Sequence, residues 1–266
     1  MAVRLIVNRR LRSPPPKRAW IQRWKAFLEW TNAHSDSSWA FRGLGDSTFP
    51  LIPSVGRRAG YDVVHERAVL ELFKRRIPEF YPVSGLTELD FLALAQHHGA
   101  PTRMLDWTTN PLVAAYFAVA SSPGTREGKL LTETGRASTK KVTVTPAGTL
   151  VPARVVASRV RSNRKLQVGD DPFAITDVSF FWPRAGTARI TTHRGLFSVH
   201  PHPDVGWEEP LALTRNVFDI PGEMRAFFQK RLFYLGVHNQ VLMGGLDGVG
   251  SRLNWQYTRR TGLGAL

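Results

Sequence analysis

The spacing of hydrophobic residues changes between the two halves of this chain, and that change constrains the fold more than any other feature. In the first half, hydrophobic residues recur at helical spacing over 19–33, 61–79 and 87–98. In the second half, β-branched residues alternate with other residues over 141–144, 150–160 and 188–199. A period near 3.6 is typical of an amphipathic helix and a period of two of a strand. The sequence therefore predicts an α+β fold, with a helical first half followed by a mostly antiparallel β-sheet.

Local signals place several of these elements. Thr87 followed by Asp90 is a variant of the capping box and predicts a helix start, as does Asn110 followed by Pro111. The segment that begins at Trp39 reads as a short strand broken by Gly43, and two short helices are expected near 222–236 and 246–256.

The chain has 266 residues and no cysteine, which excludes disulfides, thiolate metal sites and cysteine nucleophiles. Its longest apolar run, 111–120, is about half of the roughly 20 residues that a membrane-spanning helix needs. We therefore expect a cytoplasmic protein without a membrane partner. Its expected organisation is a basic, proline-rich tail over 1–18, a docking helix within 19–37, one domain over 38–255 and a tail over 256–266.

Positive charge is concentrated in two blocks, 1–28 and 134–169. Each holds eight basic residues and no acidic residue, although the whole chain has a formal net charge of +15. Such segregation favours a polyanionic partner. The expected nucleic-acid-binding residues are Arg154, Arg159, Arg161, Arg164 and Lys165. An acidic partner protein, such as an antitoxin, and a merely solvated surface are the alternatives.

Three segments carry polar residues in otherwise apolar surroundings. Arg42 lies at the end of an apolar strand, where burial of a guanidinium demands an anionic partner. Residues 96–108 combine titratable and apolar groups, and 189–197 alternate as a strand with one half-polar face. His97 and His98 lack further ligands at metal-site spacing, so no metal is expected. His200 and His202 flank Pro201 and are expected on the surface.

These segments resemble the three signature blocks of the FRG domain family. The blocks are FRGLGDSTFPLIPSVGRR at 41–58, LALAQHHGAPTRMLDWTTNPLVAAYFA at 92–118 and RITTHRGLFSVHPHP at 189–203. The resemblance covers about 38–255. The chain departs from the family at His193, where glutamine is usual, and at 243–245, where a phenylalanine–proline–aspartate run is usual.

A weaker resemblance to ADP-ribosyltransferases implies an enzyme that uses NAD as a substrate, with an ADP-ribosyltransferase-like core and no metal. It implies a catalytic set of Arg42, Asp106 and His193, and an NAD-binding set of Arg42, Gly43, Gln96, His97, Arg103, Thr108 and Arg189. In this interpretation 106–109 form a polar turn that leads into the next helix. The protein would be a toxin or phage-defence effector that modifies nucleic acid or a nucleic-acid-associated target.

Two alternatives stay open at this stage. The first is a non-enzymatic FRG module that binds RNA or DNA through its two basic segments. The second concerns Arg42 and Asp106 alone, which could form a buried structural ion pair.

Overall fold

This computed structural model describes residues 17–57, 59–120, 151–161, 165–183 and 195–259. Several expectations lie outside those residues. They concern most of the basic tail, the strand predicted over 141–144, and the site residues Arg164, Arg189 and His193.

Seven α-helices occur in the described residues. They are α1 (Lys17–Ala33), α2 (Val63–Arg76), α3 (Glu88–His97), α4 (Pro111–Ala120), α5 (Arg225–Tyr234), α6 (Asn239–Met243) and α7 (Gly245–Arg259). The predicted helix starts are confirmed. The Thr87 hydroxyl accepts from the Asp90 amide while the Asp90 carboxylate accepts from the Thr87 amide, and Asn110 Oδ1 accepts from the Leu112 amide at 2.9 Å. The last helix runs past the predicted domain end at 255.

Six strands form one sheet. They are β1 (Trp39–Leu44), β2 (Met104–Thr108), β3 (Ala153–Arg159), β4 (Ser179–Phe181), β5 (Gly195–Val199) and β6 (Val217–Ile220), in the spatial order β4-β5-β2-β1-β3-β6. Every neighbouring pair is antiparallel.

The combination of helices with an antiparallel sheet confirms the α+β class, but the division into a helical half and a strand half is incomplete. The two central strands, β1 and β2, both come from the first half of the chain. The interpretation of residues 106–109 as a polar turn is corrected, because Asp106, Trp107 and Thr108 lie on β2.

The centre of the sheet is weakly paired. β1 pairs with β3 over six residues and β2 pairs with β5 over five, whereas β1 and β2 pair only at Phe41 and Thr108. The two central strands therefore separate on one side of that single pair, and a gap opens between them.

Helices α1, α4 and α5 cover β1 and β3 with a core of large apolar residues, among them Phe27, Phe41 and Phe228. Helix α4 lies very close to β1. A Cβ atom on Gly43 would be 2.1 Å from the Ala114 carbonyl oxygen, so only glycine allows this approach. Helix α3 covers Phe181 and Phe197 on the other half of the sheet.

Among the described residues, no helix combines the length and the apolar character needed to cross a membrane.

Candidate functional site

A cleft of about 360 Å³ lies where β1 and β2 separate. Its walls come from β1, β2 and β5 and from helices α3 and α4. Six of the predicted site residues line it, namely Arg42, Gly43, Gln96, His97, Asp106 and Thr108. The single residue pair between β1 and β2 thus positions groups that are more than fifty residues apart in the sequence.

Arg42 bridges the gap between the two central strands. Its Nη1 donates to the backbone oxygen of Asp106 and lies 3.9 Å from the Asp106 carboxylate. Only 15% of its side chain is exposed, and its Nε is buried without a partner among the described residues. Burial lowers the pKa of Arg42 to about 10, although Asp106 opposes that shift. The group is therefore a cation at neutral pH with a donor to spare.

Asp106 presents a solvent-accessible carboxylate in the cleft, with 63% of its side chain exposed. Gln96 Nε2 donates to its Oδ2 at 2.8 Å. The Gln96 Oε1 accepts in turn from the hydroxyl of buried Thr102 at 2.6 Å, and that hydroxyl accepts from the Met104 amide at 3.2 Å. This chain of hydrogen bonds sets the orientation of the Gln96 amide and holds the carboxylate.

Thr108 and Gly43 line the cleft but also have structural work at helix α4. The Thr108 hydroxyl accepts from the Asn110 amide at 3.0 Å, just before the helix begins, and Gly43 admits the close packing of the helix. His97 is half-buried at the end of α3. No group of three potential metal ligands occurs among the described residues.

Arg103 lies away from the cleft, although it was expected to bind NAD. Its Nη2 and Nε donate to the two carboxylate oxygens of Glu66 at 2.7 and 3.1 Å, and both side chains are almost fully buried. Nη2 also donates to the Tyr61 hydroxyl at 3.0 Å, and the guanidinium lies 4.0 Å from the centre of the Phe173 ring. These contacts are those of a structural ion pair, and none of them faces the cleft.

His200 was expected on the surface, and that expectation is wrong, because only 1% of the residue is exposed. Its Nε2 lies 2.9 Å from the Ser198 hydroxyl, which accepts from the Trp107 indole at 2.8 Å. Burial lowers the pKa of His200 to about 3, and the nearby charges of Arg42 and Arg103 lower it further in the same direction. A signal for this burial was available, because Leu196, Ser198 and His200 continue one face of the β5 alternation.

The residues predicted to bind nucleic acid have different surroundings. Arg154 makes two hydrogen bonds to Asp219 across β3 and β6, at 2.6 and 2.9 Å, so its guanidinium is used within the sheet. Arg159 and Arg161 are exposed. Lys165 Nζ lies 5.2 Å from the centre of the Trp182 ring.

The chain was compared with known proteins. No curated protein and no solved structure matches it. The family model of the FRG domain matches residues 37–127, the segment from β1 through α4 that carries Arg42, Gln96 and Asp106, and this match supports the FRG family.

Proposed function

We propose that the cleft binds NAD and that the protein is an ADP-ribosyltransferase-like enzyme. The observation that carries this proposal is the placement of a buried guanidinium with an unused donor and an ordered carboxylate together at a gap in the centre of the sheet. A ligand with both an anionic group and a cationic centre matches that pair of charges.

The chemistry requires both charges. When the bond between nicotinamide and ribose breaks, nicotinamide leaves with the bonding electron pair and the ribose carbon develops positive charge. A nucleophilic oxygen or nitrogen of the acceptor then bonds to that carbon and gives up a proton. A carboxylate beside the ribose stabilises the transition state, and Asp106 is the carboxylate that the cleft supplies.

Arg42 is suited to hold the pyrophosphate of NAD. A guanidinium binds phosphate oxygens through a planar fork of donors, and its unpartnered Nε is one such donor. With a pKa of about 10, the side chain keeps its charge over the physiological pH range.

The size and lining of the cleft fit part of a dinucleotide. Ligand pockets are commonly about 300–1,000 Å³, so a volume of about 360 Å³ suits one nucleotide half. Phe117 and Phe197 supply apolar wall against which an aromatic base can pack. Gln96 acts as a positioning residue, because it holds the carboxylate of Asp106. His193 as the base and Arg189 as a further NAD contact remain part of the proposal on the resemblance alone.

The test is nicotinamide release from NAD by the full chain, measured chromatographically with and without added nucleic acid. Arg42→Lys keeps the charge but loses the fork, so we expect release to fall more than tenfold, which corresponds to about 1.4 kcal/mol in the transition state. Arg67→Lys is the matched control, since Arg67 is an exposed arginine that stacks on Phe173 outside the cleft.

A wild-type chain that releases no nicotinamide under either condition would overturn the proposal and favour a non-enzymatic module. Equal losses of activity and thermal stability in Arg42→Lys would instead assign Arg42 to a structural ion pair.

A further inference from the structure

A second groove, of about 400 Å³, lies beside the start of β1. It is formed by the end of α1, by β1 and β3, and by the turn before β6. Three arginines line it, Arg159, Arg161 and Arg215, together with Trp39 and a single acidic residue, Glu209.

The groove exists because β3 continues past its neighbour. β6 pairs with β3 only as far as Val156 and Val217, whereas β3 runs on to Arg159. The turn Thr214–Asn216 lies along that extension, and its backbone is anchored where Trp30 Nε1 donates to the Arg215 oxygen at 2.8 Å. Two separate elements thus bring their guanidinium groups to one groove.

These guanidinium groups are weakly engaged within the protein. Arg159 lies 3.5 Å from Asp36, and Arg161 lies 3.9 Å from Glu209; their side chains are 57% and 59% exposed. Arg215 is exposed, and no acidic residue pairs with it in the described part of the chain. Exposed pairs of this kind contribute little stability, so a phosphate can replace the carboxylate partners at small cost.

An aromatic ring lies next to the charges. The Arg159 guanidinium is 4.9 Å from the centre of the Trp39 ring. Positive charge along a groove combined with aromatic side chains is the usual arrangement for binding single-stranded nucleic acid, whose backbone meets the cations and whose bases stack.

We propose that this groove binds the phosphodiester backbone of a single-stranded nucleic acid, which serves as the acceptor of ADP-ribose. The acceptor role rests on the function proposed for the cleft, whereas the binding does not. Trp39 precedes Arg42 by three residues on β1, a separation of about 10 Å along the strand. A strand of a few nucleotides held in the groove can therefore reach the cleft.

The experiment measures the anisotropy of fluorescent oligothymidylate and oligouridylate as the full chain is added, at a series of sodium chloride concentrations and without NAD. The variant carries Arg159→Ser, Arg161→Ser and Arg215→Ser. Each lost phosphate contact flattens the log–log salt slope by about 0.7 for a single strand, so we expect a change of up to about two units. A preference between the two oligonucleotides would distinguish DNA from RNA as the source of the strand.

A control variant removes the same charge elsewhere, with Arg75→Ser, Arg76→Ser and Lys230→Ser at exposed positions on α2 and α5. We expect its slope to stay close to that of the wild type. Equal flattening in both variants would show that diffuse charge binds the strand and would overturn the groove.

Competition with polyglutamate separates the remaining class of partner. We expect polyglutamate to displace the oligonucleotide only weakly, because it offers no bases to stack. Displacement as effective as that by unlabelled oligonucleotide would assign the groove to an acidic protein and overturn the proposal. Because no NAD is present, oligonucleotide binding without nicotinamide release would count against the cleft alone.

Discussion

The molecule contains two arginine–carboxylate pairs whose arginines come from signature blocks of the same resemblance, and the pairs differ in almost every physical respect. Arg103 and Glu66 are about 1% and 2% exposed and meet through two hydrogen bonds. Arg42 and Asp106 lie 3.9 Å apart, and the carboxylate is 63% exposed. The first pair has every strong contact satisfied inside the protein, whereas the second leaves a donor and a carboxylate open to a ligand.

The difference shows that the composition of a pair does not decide its role. A buried pair with complete hydrogen bonding is destabilised severely when one partner is lost, because the other charge stays in a medium of low polarity. A pair that faces a cleft loses little stability but loses its chemistry. Stability and activity measured on matched variants therefore distinguish the two.

Glu66→Gln should have the largest effect. The Arg103 charge would remain buried without a counter-charge, and we expect the free energy of unfolding to fall by about 3–5 kcal/mol. Urea denaturation measures this. Asp106→Asn is the matched control and should cost less than about 1 kcal/mol, because its side chain is mostly solvated. Similar losses in the two variants would break the comparison.

His200 lies near both arginines and makes the comparison sensitive to pH. Its pKa in the folded protein is about 3, below the ordinary value of 6.5, so as pH falls the unfolded chain takes up the proton first. Stability should therefore fall as pH drops from 6.5 toward 3. The contribution is up to about 1.4 kcal/mol per pH unit, or about 2 kcal/mol between pH 6.5 and 5.

Urea denaturation across that pH range tests the contribution of His200. His200→Asn should remove this part of the slope, and His202→Asn, which changes an exposed histidine, should keep it. Identical slopes in the two variants would mean that His200 titrates normally.

Thr102→Val should have the smallest effect. It removes the hydroxyl that orients Gln96, and the loss of one net hydrogen bond corresponds to about 1 kcal/mol in the free energy of unfolding. Thr102→Ser keeps the hydroxyl and should retain most of that stability. If valine and serine at this position gave equal stability, the chain from Thr102 through Gln96 to Asp106 would not contribute to the order of the cleft.

Local features were predictable because the groups that cause them lie close in the sequence. Thr87 and Asp90 cap α3, and Asn110 caps α4, through bonds between residues two or three apart. Strand β2 was missed for the opposite reason. Its partner is β5, and the pairing of Asp106 with Phe197 joins residues from the two halves of the chain. The polar residues of β2 resemble a turn when that partner is unknown.

The site was predictable in part. Arg42, Gln96 and Asp106 attracted attention as polar residues in apolar segments, and all three line the cleft. Arg103 attracted the same attention, but it lies three residues from Asp106 in extended chain, and an odd separation places side chains on opposite faces. His200 escaped notice because Pro201 suggested a loop, while its burial depends on Ser198 and Trp107.

The sequence by itself determined where α2, α3 and α4 begin, since helix hydrogen bonds and caps join near neighbours along the chain. It also determined that some anion must meet Arg42, because a guanidinium is not buried alone. Only the tertiary structure decided which carboxylate that is, and that β1 and β2 separate after one residue pair. Strand register depends on contacts between distant segments, so the position of the cleft follows from long-range pairing that local sequence does not encode.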